Sequence, residues 1–332
     1  MEALLRAIIH LTTPLCSDTM VTRYNDRLGA TDALLDDNEA GCVAVLKTYL
    51  DESASSTDRV LTVAGILLDT PHSRKLNHFW KDTLKEYDLD HFHMTDCANG
   101  APPYDAIGRP RCDKLARRLI QAIRRHVEFQ VAVSLNISEY VECARTVSLE
   151  SNIDLLHGFG GPYSFLVQLC MHAVADYSDA KSSKEPISYY LEQGNECQGE
   201  TNDILGRICL TPGLVDRLRY YRHAFVPKLG MRLLQAADIV AYEWMRDRCE
   251  QMERERIRPR RLSLAYLIKN LLVRVEHLRR EDLLHRQRES LEFNIKVIKT
   301  NLWRRYNPDT FSELGDLVLA GKPLRGRVMM KT

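Results

Sequence analysis

The chain has 332 residues, 46 basic and 45 acidic side chains, 45% apolar content and 12 prolines. That describes a folded, soluble protein with a sizeable core and excludes a disordered chain. The near-zero net charge names no partner, and no run approaches the ~18 apolar residues of a membrane helix.

Nine cysteines are scattered singly, with no CxxC pair. Zinc ribbons and disulfide frameworks both need closer spacing, so reduced thiols in a cytoplasmic protein are expected. The N-terminal "LLRAIIHLTTPLC" is short and follows Glu2 instead of a basic cluster, which suits a packing helix better than a signal peptide. Residues 1–40 form an expected appendage, and the core is expected to begin near Gly41.

"CVAVLKTYL" and "RVLTVAGILL" are β-rich runs joined by "DESASSTD", the pattern of a hairpin with a wide connection. "SRKLNHFWKDTLKEYD" has helical spacing, "DHFHMTD" reads as a short strand, and "NGAPPYDAIGRP" as a loop. "RCDKLARRLIQAIRRHV" predicts an amphipathic helix and "EFQVAVSLNI" a strand. Helices over 138–146 and 162–178 follow, then the strand "PISYYLEQG", a helix over 199–208 and a strand over 222–228. "MRLLQAADIVAYEWMRDRCE" is a clear helix. Strands first, with helices recurring between later strands, predict a mixed α/β sheet. Within 157–162, "HGFGGP" lacks both the Rossmann spacing and the P-loop lysine, so Tyr163 and Ser164 after it carry no evident chemistry.

From about residue 251 the chain is dense in arginine on helical patterns, as in "RERIRPRR" and "VRVEHLRRED". Such a segment reads either as a solvated helical extension over a sheet edge or as an arm contacting phosphates through bidentate donors. The expected organisation is an appendage over 1–40, a core over 41–250 and a helical extension over 251–332.

Three acids stand where chemistry is possible. Asp51 follows the first strand, Glu192 closes a later one, and Asp238 lies on an otherwise apolar helix stripe with Gln235 on the same face. Glu243, about 140° round that helix, points elsewhere. A buried acid is costly unless paired or bound to a cation. Three converging carboxylates suit Mg²⁺ or Mn²⁺, and such a site can activate water for phosphodiester hydrolysis. Alternatively, His91 and His93 at i, i+2 on a strand, with Asp96, would make a mononuclear hydrolase site.

"YLDES", "AGILL", "FHMTD", "YYLEQGNE" and "LLQAADIVAYE" occur in that order. Together they resemble the mainly bacterial family of uncharacterised proteins with a ribonuclease H-like fold, a domain of unknown function. The resemblance spans roughly residues 45–248. It implies a ribonuclease H-like mixed sheet flanked by helices, with Asp51, Glu192 and Asp238 as catalytic, metal-binding carboxylates. It also implies His93 as an assisting catalytic group, and Glu52, Ser53, Asp96 and Gln235 lining the substrate. Ala54 departs from the glycine usual after Asp-Glu-Ser, which matters if that position needs φ > 0. The expected function is a metal-dependent nuclease or related phosphoryl-transfer hydrolase with a carboxylate-bound Mg²⁺ or Mn²⁺, its partner DNA or RNA, with no membrane partner. The alternative is a non-catalytic nucleic-acid-binding or assembly module on the same fold.

Overall fold

A computed structural model of the chain describes residues 45–55, 59–151, 160–209, 212–252 and 259–303. The expected N-terminal appendage and the last part of the arginine-rich segment lie outside these residues. The chain divides into two compact units. The described residues within 39–142 and 159–283 belong to one, and residues 143–151 and 284–303 to the other.

The larger unit opens with β1 (Leu46–Ala54) and β2 (Val60–Leu68), which pair antiparallel as the alternation predicts. Ala54 remains in the strand opposite Leu61, so no positive φ is required where glycine was anticipated. Gly65 stands opposite Leu50, and a Cβ there would come within 2.4 Å of the Tyr49 carbonyl oxygen and 2.5 Å of Leu50 Cδ2. Only a residue without a side chain lets these strands meet so closely.

Next come α1 (Thr70–Glu86), α2 (Met94–Asn99), α3 (Tyr104–Ile107), α4 (Arg109–His126) and β3 (Phe129–Asn136). Asp69 caps α1 by accepting from the backbone N–H of His72, and proline fills its first turn, both ordinary start signals. The expected strand "DHFHMTD" is not formed. Residues 91–93 are irregular and α2 follows. Side chains meet the backbone there as a neighbouring strand would: Gln235 accepts from Phe92 N and Tyr104 Oη from His93 N. "NGAPPYDAIGRP", expected as a loop, holds the short helix α3.

The chain continues through α5 (Ile137–Ser151), α6 (Pro162–Ala180), β4 (Ile187–Glu192), α7 (Gln198–Cys209), α8 (Pro212–Arg217) and β5 (Tyr220–Val226). It ends with α9 (Arg232–Met252), α10 (Leu262–Ile268), β6 (Leu272–Leu278) and α11 (Arg280–Trp303). The six strands lie in the order β5-β4-β1-β2-β3-β6. Strand β1 is parallel to β4, β4 to β5, and β3 to β6, while β2 is antiparallel to both neighbours. This is a mixed six-stranded sheet flanked by helices.

Helix α9 packs against β1 and β2, and α6 against β2 and β3. Leu233, Leu234, Ala237, Val240 and Ala241 of α9 are all enclosed, each leucine contributing on the order of 1.5–3 kcal/mol. Beyond residue 251 the all-helical expectation fails, because β6 joins the sheet as an edge strand. Its alternation, with Arg274, Glu276 and His277 between apolar residues, is that of an edge kept safe by charge. In the smaller unit, Arg288 of α11 donates to both carboxylate oxygens of Glu150 at 3.0 and 2.8 Å. Among the described residues no helix is long and apolar enough to cross a membrane.

Candidate functional site

Asp51 lies three residues inside the end of β1, and Glu192 is the last residue of β4. The two strands are neighbours and parallel, paired up to Leu50 and Leu191, so the acids emerge side by side at the carboxyl edge of the sheet. Ligand sites in open α/β sheets form at this edge, where helix and loop backbones leave a crevice. Asp238 reaches the same point from α9, which packs across β1.

The three acids meet at a residue the sequence did not single out. Lys228, in the turn between β5 and α9, places Nζ 2.9 Å from Asp51 Oδ2, 2.9 Å from Glu192 Oε2 and 3.5 Å from Asp238 Oδ1. One shared nitrogen keeps the acids well inside the about 8 Å beyond which shared cation binding fails. Burial opposes the charged ammonium, but Asp51, Asp238 and Glu192 outweigh it and hold the Lys228 pKa above the ordinary lysine value. Asp51 is wholly enclosed, and that burial pushes its pKa well above the usual carboxylate range against the pull of Lys228.

Asp238 accepts from the backbone N–H of Met94 at 2.6 Å through its other oxygen, which fixes the carboxylate. His93 lies beside it, with Nε2 3.8 Å from Asp238 Oδ1 and Nδ1 2.7 Å from Asp96 Oδ2. Asp96 therefore orients the His93 ring. The pair is the open side of the site: His93 is 34% exposed and Glu192 26%. His91 contributes only its backbone carbonyl, 3.5 Å from Tyr104 Oη, and belongs to no metal-type cluster among the described residues.

Glu52 extends from β1 on the face opposite Asp51, as strand alternation requires. Its Oε1 accepts from Asn195 Nδ2, while its Oε2 is enclosed without a partner. Burial raises the Glu52 pKa. Asp51, Glu52 and Glu192 each offer one oxygen within 4.8 Å of the others, a buried acidic cluster that can hold a metal ion. Glu52 was anticipated at the substrate; the geometry puts it among the possible ligands, while Asp238 stands outside that group of three and meets it through Lys228.

Tyr163, at the start of α6, completes the surroundings. Its hydroxyl is enclosed with no hydrogen-bond partner. Burial raises its pKa first, and Glu52, Asp51 and Glu192 add to the shift. The sequence marks Tyr163 only as the residue after a proline at a helix start. Ser164, its neighbour, donates to Glu200 Oε2 at 2.8 Å and serves that helix junction.

Gln235 was expected at the substrate and instead braces the site from behind. It is fully enclosed, its Oε1 accepting from Trp80 Nε1 and Phe92 N, each at 3.0 Å, and its Nε2 donating to the Lys228 carbonyl at 3.0 Å. Both acceptor positions of its carbonyl oxygen and one of its two N–H donors are thereby used within the protein. Ser53 pairs across the hairpin with Thr62. Glu243 points away as expected, held by Ser263 Oγ at 2.7 Å and Arg261 at 3.3 Å.

The fold and site thus define a mixed α/β protein with a lysine-centred carboxylate cluster at the carboxyl edge of its sheet. Compared with known proteins, the sequence matches no family model and no curated protein.

Proposed function

We propose that this protein is a metal-dependent phosphodiester hydrolase, a nuclease, whose divalent cation is Mg²⁺ or Mn²⁺. The observation that carries the reading is the convergence of Asp51, Glu192 and Asp238 on one cationic point from two strand ends and a helix. The donor set fits such an ion: all oxygens, with Asp51 Oδ2 enclosed against the Lys228 ammonium and Glu52 Oε2 enclosed without a hydrogen-bond donor among the described residues. A bound ion supplies Lewis acidity toward an attacking water and a leaving oxygen. Asp51, Glu192 and Glu52 would hold it, with the buried Asp238 beside them fixed by Met94 N. His93, oriented by Asp96 and on the open side, is placed to take or give a proton at Nε2. The motif resemblance to the ribonuclease H-like family supports the same assignment.

The test is cleavage of DNA, RNA and hybrids with added Mg²⁺ or Mn²⁺, comparing wild type with Asp51→Asn. Loss of metal-dependent cleavage in the variant is expected; equal activity sinks the mechanism.

A second reading is favoured by Lys228 itself. The ammonium already balances the acids within the protein, as in a non-catalytic nucleic-acid-binding or assembly module that keeps the cluster for structure. Titration with Mn²⁺, followed by its electron paramagnetic resonance, separates the two. The hydrolase binds the ion at this cluster and the module does not.

A further inference from the structure

The same edge of the sheet carries a constellation of opposite character on its other half. Strands β1, β3 and β6 point the same way, so Asn136 and His277 come to the edge where Asp51 lies. β3 and β6 are two and three strands from β1, on the order of 10–14 Å at about 4.8 Å per strand. A cleft of about 720 Å³ opens there among Asn136, Glu139, Arg248, His277 and Arg279. That volume lies within the range of small-molecule sites. A recess of about 110 Å³ shares Arg248 and His277 and reaches inward to Thr62 and Trp244.

Acids line the cleft as well, Glu139, Glu281 and Asp282 at its mouth and Asp247 in the recess, yet several donors in the walls are unmet. Arg248 Nε, Trp244 Nε1 and Thr62 Oγ1 are enclosed and have no hydrogen-bond partner among the described residues. Thr62 is 0% and Trp244 6% exposed. Each unmet buried group costs about 1–3 kcal/mol, more for a charged one. A water in the recess can serve the indole and the hydroxyl. It does not relieve Arg248, whose protonation is opposed first by burial and next by the charge of Arg279.

The arginines around the cleft separate into two kinds. Arg280 is spent on Glu142 at 2.9 Å, and Arg260, on the wall of the recess, lies over the Trp244 ring at 5.2 Å from its centroid. Arg248 and Arg279 make no such pair among the described residues, although they face each other closely enough to repel. Of the acids nearby, Asp282 accepts from the Arg279 backbone N–H at 2.9 Å, and Asn136 occupies the backbone N–H of Glu139. Glu139 and, more weakly, Asp247 favour the charged Arg248, each by less than Arg279 disfavours it. Two like charges held together beside unmet neutral donors are what a multivalent, acceptor-only anion satisfies.

We propose that this cleft binds a phosphate group, held by Arg248 and Arg279. The phosphate belongs either to a small nucleotide or to the backbone of a strand lying along the sheet edge toward Asp51. The site does not depend on the cation reading, because phosphate binding is measured without any divalent ion.

The experiment uses the full chain in EDTA, with calorimetric titration of inorganic phosphate, a nucleoside 5′-monophosphate and a ten-nucleotide single strand. Wild type is expected to bind phosphate, and Arg248→Gln and Arg279→Gln each to weaken it at least tenfold, about 1.4 kcal/mol. Glu139→Gln is expected to tighten it. A monophosphate bound as tightly as the strand assigns a small-molecule site. A strand bound far more tightly, with a steep salt dependence that both arginine variants reduce, assigns a backbone phosphate. Arg279 is exposed, so its variant keeps the fold and the test stands even if Arg248→Gln loses stability. No binding of any of the three ligands to wild type overturns the proposal, as does unchanged phosphate affinity in Arg279→Gln.

Discussion

Lys228 Nζ stands 2.9 Å from Asp51 Oδ2, a nearly enclosed ammonium against a fully enclosed carboxylate. Two further acids share that nitrogen, so the lysine is the keystone charge of the cluster. Removing one partner of a buried ionic group leaves the others uncompensated, which costs about 3–5 kcal/mol. Lys228→Met is therefore expected to lose stability by that order, and added Mn²⁺ to restore most of it by taking the vacated position. Urea denaturation with and without Mn²⁺ measures this. A loss that Mn²⁺ leaves untouched would show that the acids cannot share a divalent ion.

Tyr163→Phe separates stability from function at a single oxygen. The hydroxyl has no partner, so deleting it should leave thermal stability within about 1 kcal/mol of wild type, or raise it slightly. Because Glu52, Asp51 and Glu192 all act electrostatically on that hydroxyl, Mn²⁺ affinity and cleavage should nonetheless fall. A variant indistinguishable in both would return Tyr163 to the core.

Gly65→Ala strikes the scaffold beneath Asp51. The new methyl would sit 2.4 Å from a backbone oxygen of β1, so the hairpin must part. A destabilisation of about 1–3 kcal/mol is expected, together with weaker Mn²⁺ binding as β1 shifts. An unchanged denaturation midpoint would show that the hairpin is looser than its register implies.

Histidine burial gives a pH dependence with a definite sign. His223 is lowered to about 4 by burial, and Asn202 Oδ1 lies 3.0 Å from its Nε2. A base with a depressed folded pKa contributes stability that is complete above its unfolded value near 6.5 and is lost as pH falls toward 4. Denaturation midpoints at pH 7, 5.5 and 4 should therefore fall less steeply in His223→Asn than in wild type. Parallel pH profiles would refute the assignment. Comparing variant with wild type removes the enclosed carboxylates, whose raised pKa values act in the opposite direction.

What the sequence made legible follows from periodicity and position. The β1–β2 hairpin alternates cleanly, and α9 carries an apolar stripe interrupted by one acid, so both elements and Asp238 were readable. Asp51 and Glu192 were singled out by their order; Glu192 does close β4, whereas Asp51, read as following the first strand, lies three residues inside it because β1 runs on to Ala54. Lys228 was not, since a single lysine in "VPKLG" looks like any exposed turn residue. Its only signal was electrostatic: three converging acids need a positive partner, and the chain could supply its own. "DHFHMTD" misled because alternation over so short a run does not distinguish a strand from a segment whose backbone is met by Gln235 and Tyr104. "LVRVEHL" misled the other way, its strand alternation masked by the arginine-rich context.

Gln235 has a consequence for the shape of the entrance. Its amide is fastened at one end to the carbonyl of Lys228 and at the other to the N–H of Phe92, the residue before His93. The lysine turn and the histidine segment are thereby stapled to one rigid helix, like two jaws bolted to the same block. The aperture between them is set from inside the protein, and anyone wishing to widen it for a bulkier guest should begin at position 235.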